Sequence, residues 1–219
     1  MDGSPSAHHS ITPSPHDSTP FELLETLRWT ADEGFFLLDR HLQRLSDSAR
    51  YFDYNCSLER VMDALAHAVT GSARPLRVRL LVNRDGDPRV EHAPLEAAPG
   101  PLRVGLAARP IDPTDPFLFH KTTNRGHLER ERLPSYDETV LWNPSREITE
   151  GVIANLVVDL GGRRVTPPVA CGLLPGTMRA ELLARGEIAE ARISVEEFLQ
   201  APRVWLINSV RGWREGVLR

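Results

Sequence analysis

Stretches in which apolar and polar residues alternate are interleaved irregularly with stretches spaced for a helix, and this mixture limits the folds open to the chain. Strands are expected at residues 21–29, 35–38, 76–82, 89–95 and 102–108, then at 139–142, 152–160, 163–166 and 204–207. The 76–82 segment is the clearest, with Leu76, Val78, Leu80 and Val82 on one parity and Arg77 and Arg79 between them. Helical spacing runs through Leu42, Leu45, Ala49 and Phe52 behind a capping Asp39, and through Leu58, Val61, Met62, Leu65 and Val69 behind Ser57. Further helices are expected at 177–184, ended by Gly186, and after Ser194-Val-Glu-Glu197, which reads as a capping box. The order never settles into a regular β-α-β-α rhythm, and no Gly-x-Gly-x-x-Gly turn joins a strand to a helix. A Rossmann or barrel fold is therefore excluded in favour of a two-lobed α+β protein. Pro110, Pro113 and Pro116 mark a linker, placing the lobes at 21–108 and 109–219. No internal repeat is present.

Residues 1–20 hold four Pro, five Ser and three His with almost nothing apolar, and read as a disordered tail. A disordered tail is a poor frame for its histidines, so no metal site is expected there. The net charge of −4 leaves no basic excess to drive binding to nucleic acid or an anionic membrane. No apolar run approaches the ~20 residues of a membrane span, and no secretory signal opens the chain. Cys56 and Cys171 lie far apart and outside metal-ligand spacing, so neither a disulfide framework nor a zinc site is expected. The cytosol is the expected compartment.

The basic residues are 25 Arg and one Lys, Lys121. Arginine can replace lysine wherever only a charge is needed, but guanidinium is a poor nucleophile and stays protonated. A lone lysine is either a surface remnant or a residue whose amine is used. Phe117-Leu-Phe-His-Lys121 places three apolar residues just before it, a setting that can lower an amine's pKa and expose its nucleophilic form. A lysine at a strand edge is the plainer reading. The Gly176-Thr177-Met178 junction leads a loop into a helix, where free backbone N–H groups can hold a phosphate. Asn208-Ser209-Val-Arg211, after the last expected strand, offers a second anion site, and Arg44 can add a charge-assisted contact. Glu150 follows a turn and opens the 152–160 strand; beside Gly151 it is either a solvated turn residue or a partner for a protonated ring nitrogen.

Taken in order, the lysine, then Thr149-Glu-Gly-x-Ile-Ala-Asn-Leu156, then Leu174-Pro-Gly-x-x-Arg179 resemble the class IV family of pyridoxal-phosphate enzymes, and the likeness runs from about Phe21 to the end. It implies the two-lobed, D-amino acid aminotransferase-like fold. Glu25-Thr-Leu-Arg28, Phe36-Leu-Leu-Asp-Arg-His-Leu-x-Arg-Leu45 and His120-Lys-Thr-Thr-Asn-Arg125 are most similar to the 4-amino-4-deoxychorismate lyase branch. By this resemblance Lys121 is the Schiff-base lysine and proton shuttle, and Glu150 the partner of the pyridinium nitrogen. Arg44, the backbone of Thr177 and Met178, and Ser209 hold the phosphate. Thr26, Asn124, Arg125 and Asn155 match positions near the substrate. Branched-chain transaminases carry a tyrosine five residues after the lysine, where this chain has Gly126. The resemblance implies elimination of pyruvate from 4-amino-4-deoxychorismate to give p-aminobenzoate for folate. It also implies a homodimer and a functional link to aminodeoxychorismate synthase. A class IV transaminase is the alternative, and a non-catalytic cofactor-binding domain a more distant one. The family's Gly-Asp-Gly segment before Glu-Thr is missing, with the polar stretch 1–20 in its place.

Overall fold

The structure is a computed structural model that describes residues 20–97 and 100–219, so the tail expected at 1–20 lies outside the described residues except for Pro20. Among the described residues the chain forms two sheets. The first is antiparallel with strand order β2-β1-β3-β4. It comprises β1 (Leu23–Thr30), β2 (Gly34–Phe35), β3 (Leu76–Val82) and β4 (Pro88–Pro94). Two helices, α1 (Leu38–Phe52) and α2 (Leu58–Val69), cover one face. Leu23, Leu27, Leu76, Val78, Leu80 and Val82 are buried there against Leu45, Ala49, Val61, Leu65 and Val69. The β1–β3 register pairs Thr26 with Arg79 and Arg28 with Arg77. Residues paired across a ladder share a face, so this second set lies on the side away from the helices.

Ser57 caps α2 as expected, its hydroxyl accepting from the Arg60 N–H at 3.3 Å. The cap of α1 is corrected: it is Leu37, held in the left-handed region at φ 55°, and not Asp39. Asp39 sits in the first turn, where its charge still complements the helix dipole.

The second sheet has the order β10-β9-β8-β11-β12-β5-β6-β7. Its strands are β5 (Leu102–Leu106), β6 (Glu138–Trp142), β7 (Ile148–Gly151), β8 (Asn155–Leu160), β9 (Arg163–Thr166), β10 (Ala189–Glu190), β11 (Val204–Asn208) and β12 (Gly212–Leu218). The strand expected to close the first lobe, 102–108, is β5, paired in parallel with β12 and β6 in this second sheet. The sheet division therefore falls ahead of Leu102, not after residue 108. Its partner β12 was not expected, because Trp213-Arg-Glu-Gly216 masks the alternation. Gly216 is needed there, since an added Cβ would lie 2.8–2.9 Å from Val104 and Val204.

The segment expected as one strand over 152–160 is also corrected. Its first three residues, 152–154, form a tight turn between β7 and β8, closed by the Gly151 N–H donating to the Ala154 carbonyl at 2.8 Å, and only 155–160 is strand. A β-branched Val152-Ile153 pair reads as strand, but Glu138 stands so close that a Cβ on Gly151 would be 2.9 Å from its carboxyl carbon. Glu150 thus lies inside β7. Since β7 is at one edge and runs directly into β8 near the other, the sheet has to curl on itself. Val104, Val140, Ile148, Leu156, Val158 and Phe198 fill its interior. Helix α3 (Gly126–Glu129) follows the lysine segment, α4 (Thr177–Ala184) packs Met178 and Leu182 on Val157 and Ile207, and α5 (Val195–Leu199) carries the expected capping box on Ser194. No helix among the described residues is long and apolar enough to cross a membrane.

Candidate active site

A cavity of about 420 Å³ is lined by residues of both sheets. Lys121 reaches it from the segment ahead of α3, and that segment is stitched to β1 by the backbone. The Leu24 N–H donates to the Lys121 carbonyl and the Thr123 N–H to that of Glu22, each at 2.9 Å. Burial pushes the Lys121 amine down to about 8, helped by the charges of Arg44 and Arg125 and opposed more weakly by Glu25 and Glu150. A substantial neutral fraction is therefore present near neutral pH, which an exposed lysine lacks.

Glu150 enters the cavity from β7. It is buried, and its two oxygens accept from the Leu174 N–H and the Asn155 Nδ2, both at 3.0 Å. The same Asn155 amide donates to the Leu174 carbonyl at 2.9 Å, which fixes its orientation. Burial raises Glu150 to about 8 against the lowering effects of Leu174 N–H, Arg125 and Lys121. The carboxyl is thus a proton holder that becomes a carboxylate when a cation faces it.

At α4 the N-cap is Gly176, and no side chain caps the first turn. Its leading residues Gly176, Thr177 and Met178 line the cavity. A Cβ at residue 176 would fall 1.9 Å from Asn155 Oδ1, so only glycine lets this helix end approach so closely. Arg44 lies beside it, donating to the Pro175 carbonyl at 3.3 Å. An uncapped helix N-terminus with a guanidinium alongside is a site for an anion.

Glu25 holds that arginine. It is fully buried, accepts from Arg44 Nε at 2.8 Å and Nη2 at 2.6 Å, and lies 2.6 Å from His41 Nδ1. The other His41 nitrogen lies 3.3 Å from the Thr177 hydroxyl. Burial alone would raise Glu25, but Arg44 and then His41 outweigh it and hold the carboxyl at about 2.

Of the residues expected from the sequence, Thr26, Arg44, Lys121, Arg125, Glu150, Asn155, Thr177, Met178 and Ser209 line this one cavity. Ser209 Oγ lies 3.5 Å from the Thr26 carbonyl, and Arg125 donates to the Val152 carbonyl at 2.5 Å. Asn124 is not among the lining residues. The Thr122 hydroxyl accepts from the Asn124 N–H at 3.2 Å and closes a local turn. Not singled out from the sequence were Glu25 and His41, together with the lining residues Arg77, Arg79 and His120. Glu25 carried a readable signal, since it shares the parity of Leu23 and Leu27 and is therefore a charge on a core face.

The profile of the family described as amino-transferase class IV matches residues 22–216. The Saccharomyces cerevisiae aminodeoxychorismate lyase is 27% identical over 256 residues, covering 85% of this chain and 68% of that protein. A Schizosaccharomyces pombe protein provisionally named aminodeoxychorismate lyase is 29% identical over 198 residues, covering 85% and 86%. Among solved structures, a Mesorhizobium loti protein provisionally named an amino-acid aminotransferase superposes with a TM-score of 0.85 at 37% identity, covering 91% of this chain and 100% of that one. The Pseudomonas aeruginosa 4-amino-4-deoxychorismate lyase, at 22% identity and a TM-score of 0.75, covers 94% and 88%, and shares the fold.

Proposed function

Since the chain belongs to the class IV aminotransferase family, we propose that it is a pyridoxal-phosphate-dependent 4-amino-4-deoxychorismate lyase, releasing pyruvate and p-aminobenzoate. The observation that carries the reading is the convergence of Lys121, Glu150, Arg44 and the uncapped α4 N-terminus on one cavity. These residues fit pyridoxal phosphate chemically. Arg44, the Thr177 and Met178 N–H groups and Ser209 would hold the phosphate, Lys121 the aldehyde carbon, and Glu150 the ring nitrogen. When bound, the cofactor supplies an electron sink for a carbanion next to nitrogen.

The chain's own residues supply the rest. Arg44, fixed by Glu25, anchors the phosphate end so that the reactive end meets Lys121. Glu150 accepts a hydrogen bond from the protonated ring nitrogen and stays ionised while it does so. The Lys121 amine, once free, would take the proton from the substrate carbon that bears nitrogen. As the ring becomes aromatic the enolpyruvyl C–O bond breaks, and a proton returned through Lys121 Nζ lets pyruvate leave. The substrate's atoms are conserved in the two products, and no oxidant is needed.

Two observations favour a lyase over a transaminase. Lys121-Thr-Thr-Asn-Arg125 is followed by Gly126, where branched-chain transaminases carry a tyrosine. Both curated relatives also carry the lyase name. The Mesorhizobium loti relative keeps the transaminase as the second reading. The proposal includes a homodimer, checked by light scattering at twice the chain mass.

The deciding experiment is to load the protein with pyridoxal phosphate and add 4-amino-4-deoxychorismate. Equal amounts of p-aminobenzoate and pyruvate, with the yellow absorbance of the bound cofactor persisting, are expected. Bleaching of that absorbance by ordinary amino acids, with a keto acid formed, would move the assignment to a transaminase.

A further inference from the structure

The cavity holds more positive charge than a bound phosphate uses. Arg44 is met by Glu25, and Arg125 is turned onto the Val152 carbonyl. That leaves Arg77, Arg79 and Arg211, all lining the same cavity. Arg211 is tied to the Glu96 carbonyl, and Arg79 donates to the half-exposed Glu91 at 3.0 Å. The Arg77 side chain makes no hydrogen bond or ion pair among the described residues. Among the described residues, Glu150 is the only acidic residue lining the cavity.

Arg77 and Arg79 are two residues apart on β3, so they leave the same face of the sheet about 6.6 Å apart at the backbone. The β1–β3 register sets Thr26 directly opposite Arg79. Thr26 also lines the cavity, and its carbonyl lies 3.5 Å from Ser209 Oγ, so this strand face adjoins the phosphate end. An arginine on the outer face of a strand is ordinarily just solvated. Two on one strand face, both lining a concave site that has already met its phosphate requirement, are suited to further carboxylates, which guanidinium recognises with a planar fork.

We propose that Arg77 and Arg79 form a second anion subsite, separate from the phosphate cradle, that seats the carboxylates of a dicarboxylate substrate. In substrate terms this rests on the lyase reading: 4-amino-4-deoxychorismate carries one carboxylate on its ring and another on its enolpyruvyl arm, whereas a simple amino acid carries one. The pair orients the ring so that the carbon bearing nitrogen faces Lys121, and it selects against monocarboxylates.

The test uses the cofactor-loaded full chain and chorismate, which has the same two carboxylates but no amine with which to displace Lys121. Calorimetry should show chorismate binding to the parent protein and binding at least tenfold weaker to Arg77→Gln and Arg79→Gln. Lysine at either position should recover part of the loss. The cofactor's absorbance and affinity should not change, since neither side chain belongs to the phosphate cradle, and melting curves report that each variant is folded. KM for p-aminobenzoate formation should rise in parallel. Chorismate binding equally well to the Arg77→Gln/Arg79→Gln double variant, or not at all to the parent, overturns the subsite. If chorismate binding depends on the arginines but no p-aminobenzoate forms, the subsite stands and the lyase reading falls.

Discussion

Lys121 is held in a state that suits chemistry and costs stability. Its amine is pushed down to about 8 by burial, while an unfolded lysine sits near 10.5. Below about pH 8 the fold carries a charge it disfavours, and the penalty fades as pH rises towards 10.5. Lys121→Ala is therefore expected to abolish the yellow cofactor absorbance and all turnover. In a thermal melt at pH 7 the cofactor-free variant should be more stable than the parent, by up to about 3 kcal/mol at 1.36 kcal/mol per pKa unit. Glu25 works in the opposite direction. Held at about 2 by Arg44 and His41 despite its burial, it adds stability above pH 4.5 that is lost as pH falls through 2. Glu25→Gln leaves Arg44 and His41 without their anion and should cost about 3 kcal/mol at pH 7 by denaturant titration. Because Arg44 then loses its anchor, cofactor affinity should fall as well. A variant with unchanged affinity would remove Glu25 from the positioning of the phosphate cradle.

At the scale of elements, the site depends on how closely α4 approaches β8. Gly176→Ala would drive a methyl group into Asn155 Oδ1, displacing the amide that supports Glu150. Cofactor affinity, read by absorbance titration, should drop at least tenfold, with a slower reaction at saturation because Glu150 is no longer held in place. The capping box of α5 provides the contrast. Ser194 accepts from the Glu197 N–H while Glu197 accepts from the Ser194 N–H at 2.8 Å, and neither residue lines the cavity. Ser194→Ala should lower stability by about 1 kcal/mol and leave kcat unchanged.

The whole molecule carries buried carboxyls whose ionisation opposes folding. Burial raises Glu138 to about 7 and Glu150 to about 8. Raised carboxyls contribute stability that is complete below about pH 4.5 and is lost as pH climbs through those values. His120 acts oppositely, because burial lowers it and favours its neutral form as pH rises. The comparison that isolates Glu138 is therefore between the parent and Glu138→Gln, both cofactor-free. Between pH 5 and 8 the parent should lose more stability than the variant, as measured by urea denaturation at each pH. The Glu138 carboxylate also accepts from the Ile153 N–H at 3.2 Å, so the turn joining β7 to β8 is the segment whose amide exchange should quicken in the variant.

Local chemistry alone was enough for much of this molecule. A core-facing parity marked β1 and β3, Ser57 and Ser194 marked two helix starts, and a single lysine among arginines marked the amine that lines the cavity. Each of these signals lies within a few residues of the structure it specifies. What only the folded chain decided involves partners far apart in sequence. Leu102–Leu106 joins the second sheet because β12 and β6 flank it, and Glu25 is paired because α1 crosses the core face of β1. Val152-Ile153 becomes a turn because the Glu138 side chain crowds Gly151. Arg77 and Arg79 look like any solvated strand face until the two sheets enclose a cavity in front of them. Propensity and periodicity act between near neighbours, whereas parallel pairing, buried charge and cavity walls depend on contacts that exist only after the chain has closed on itself.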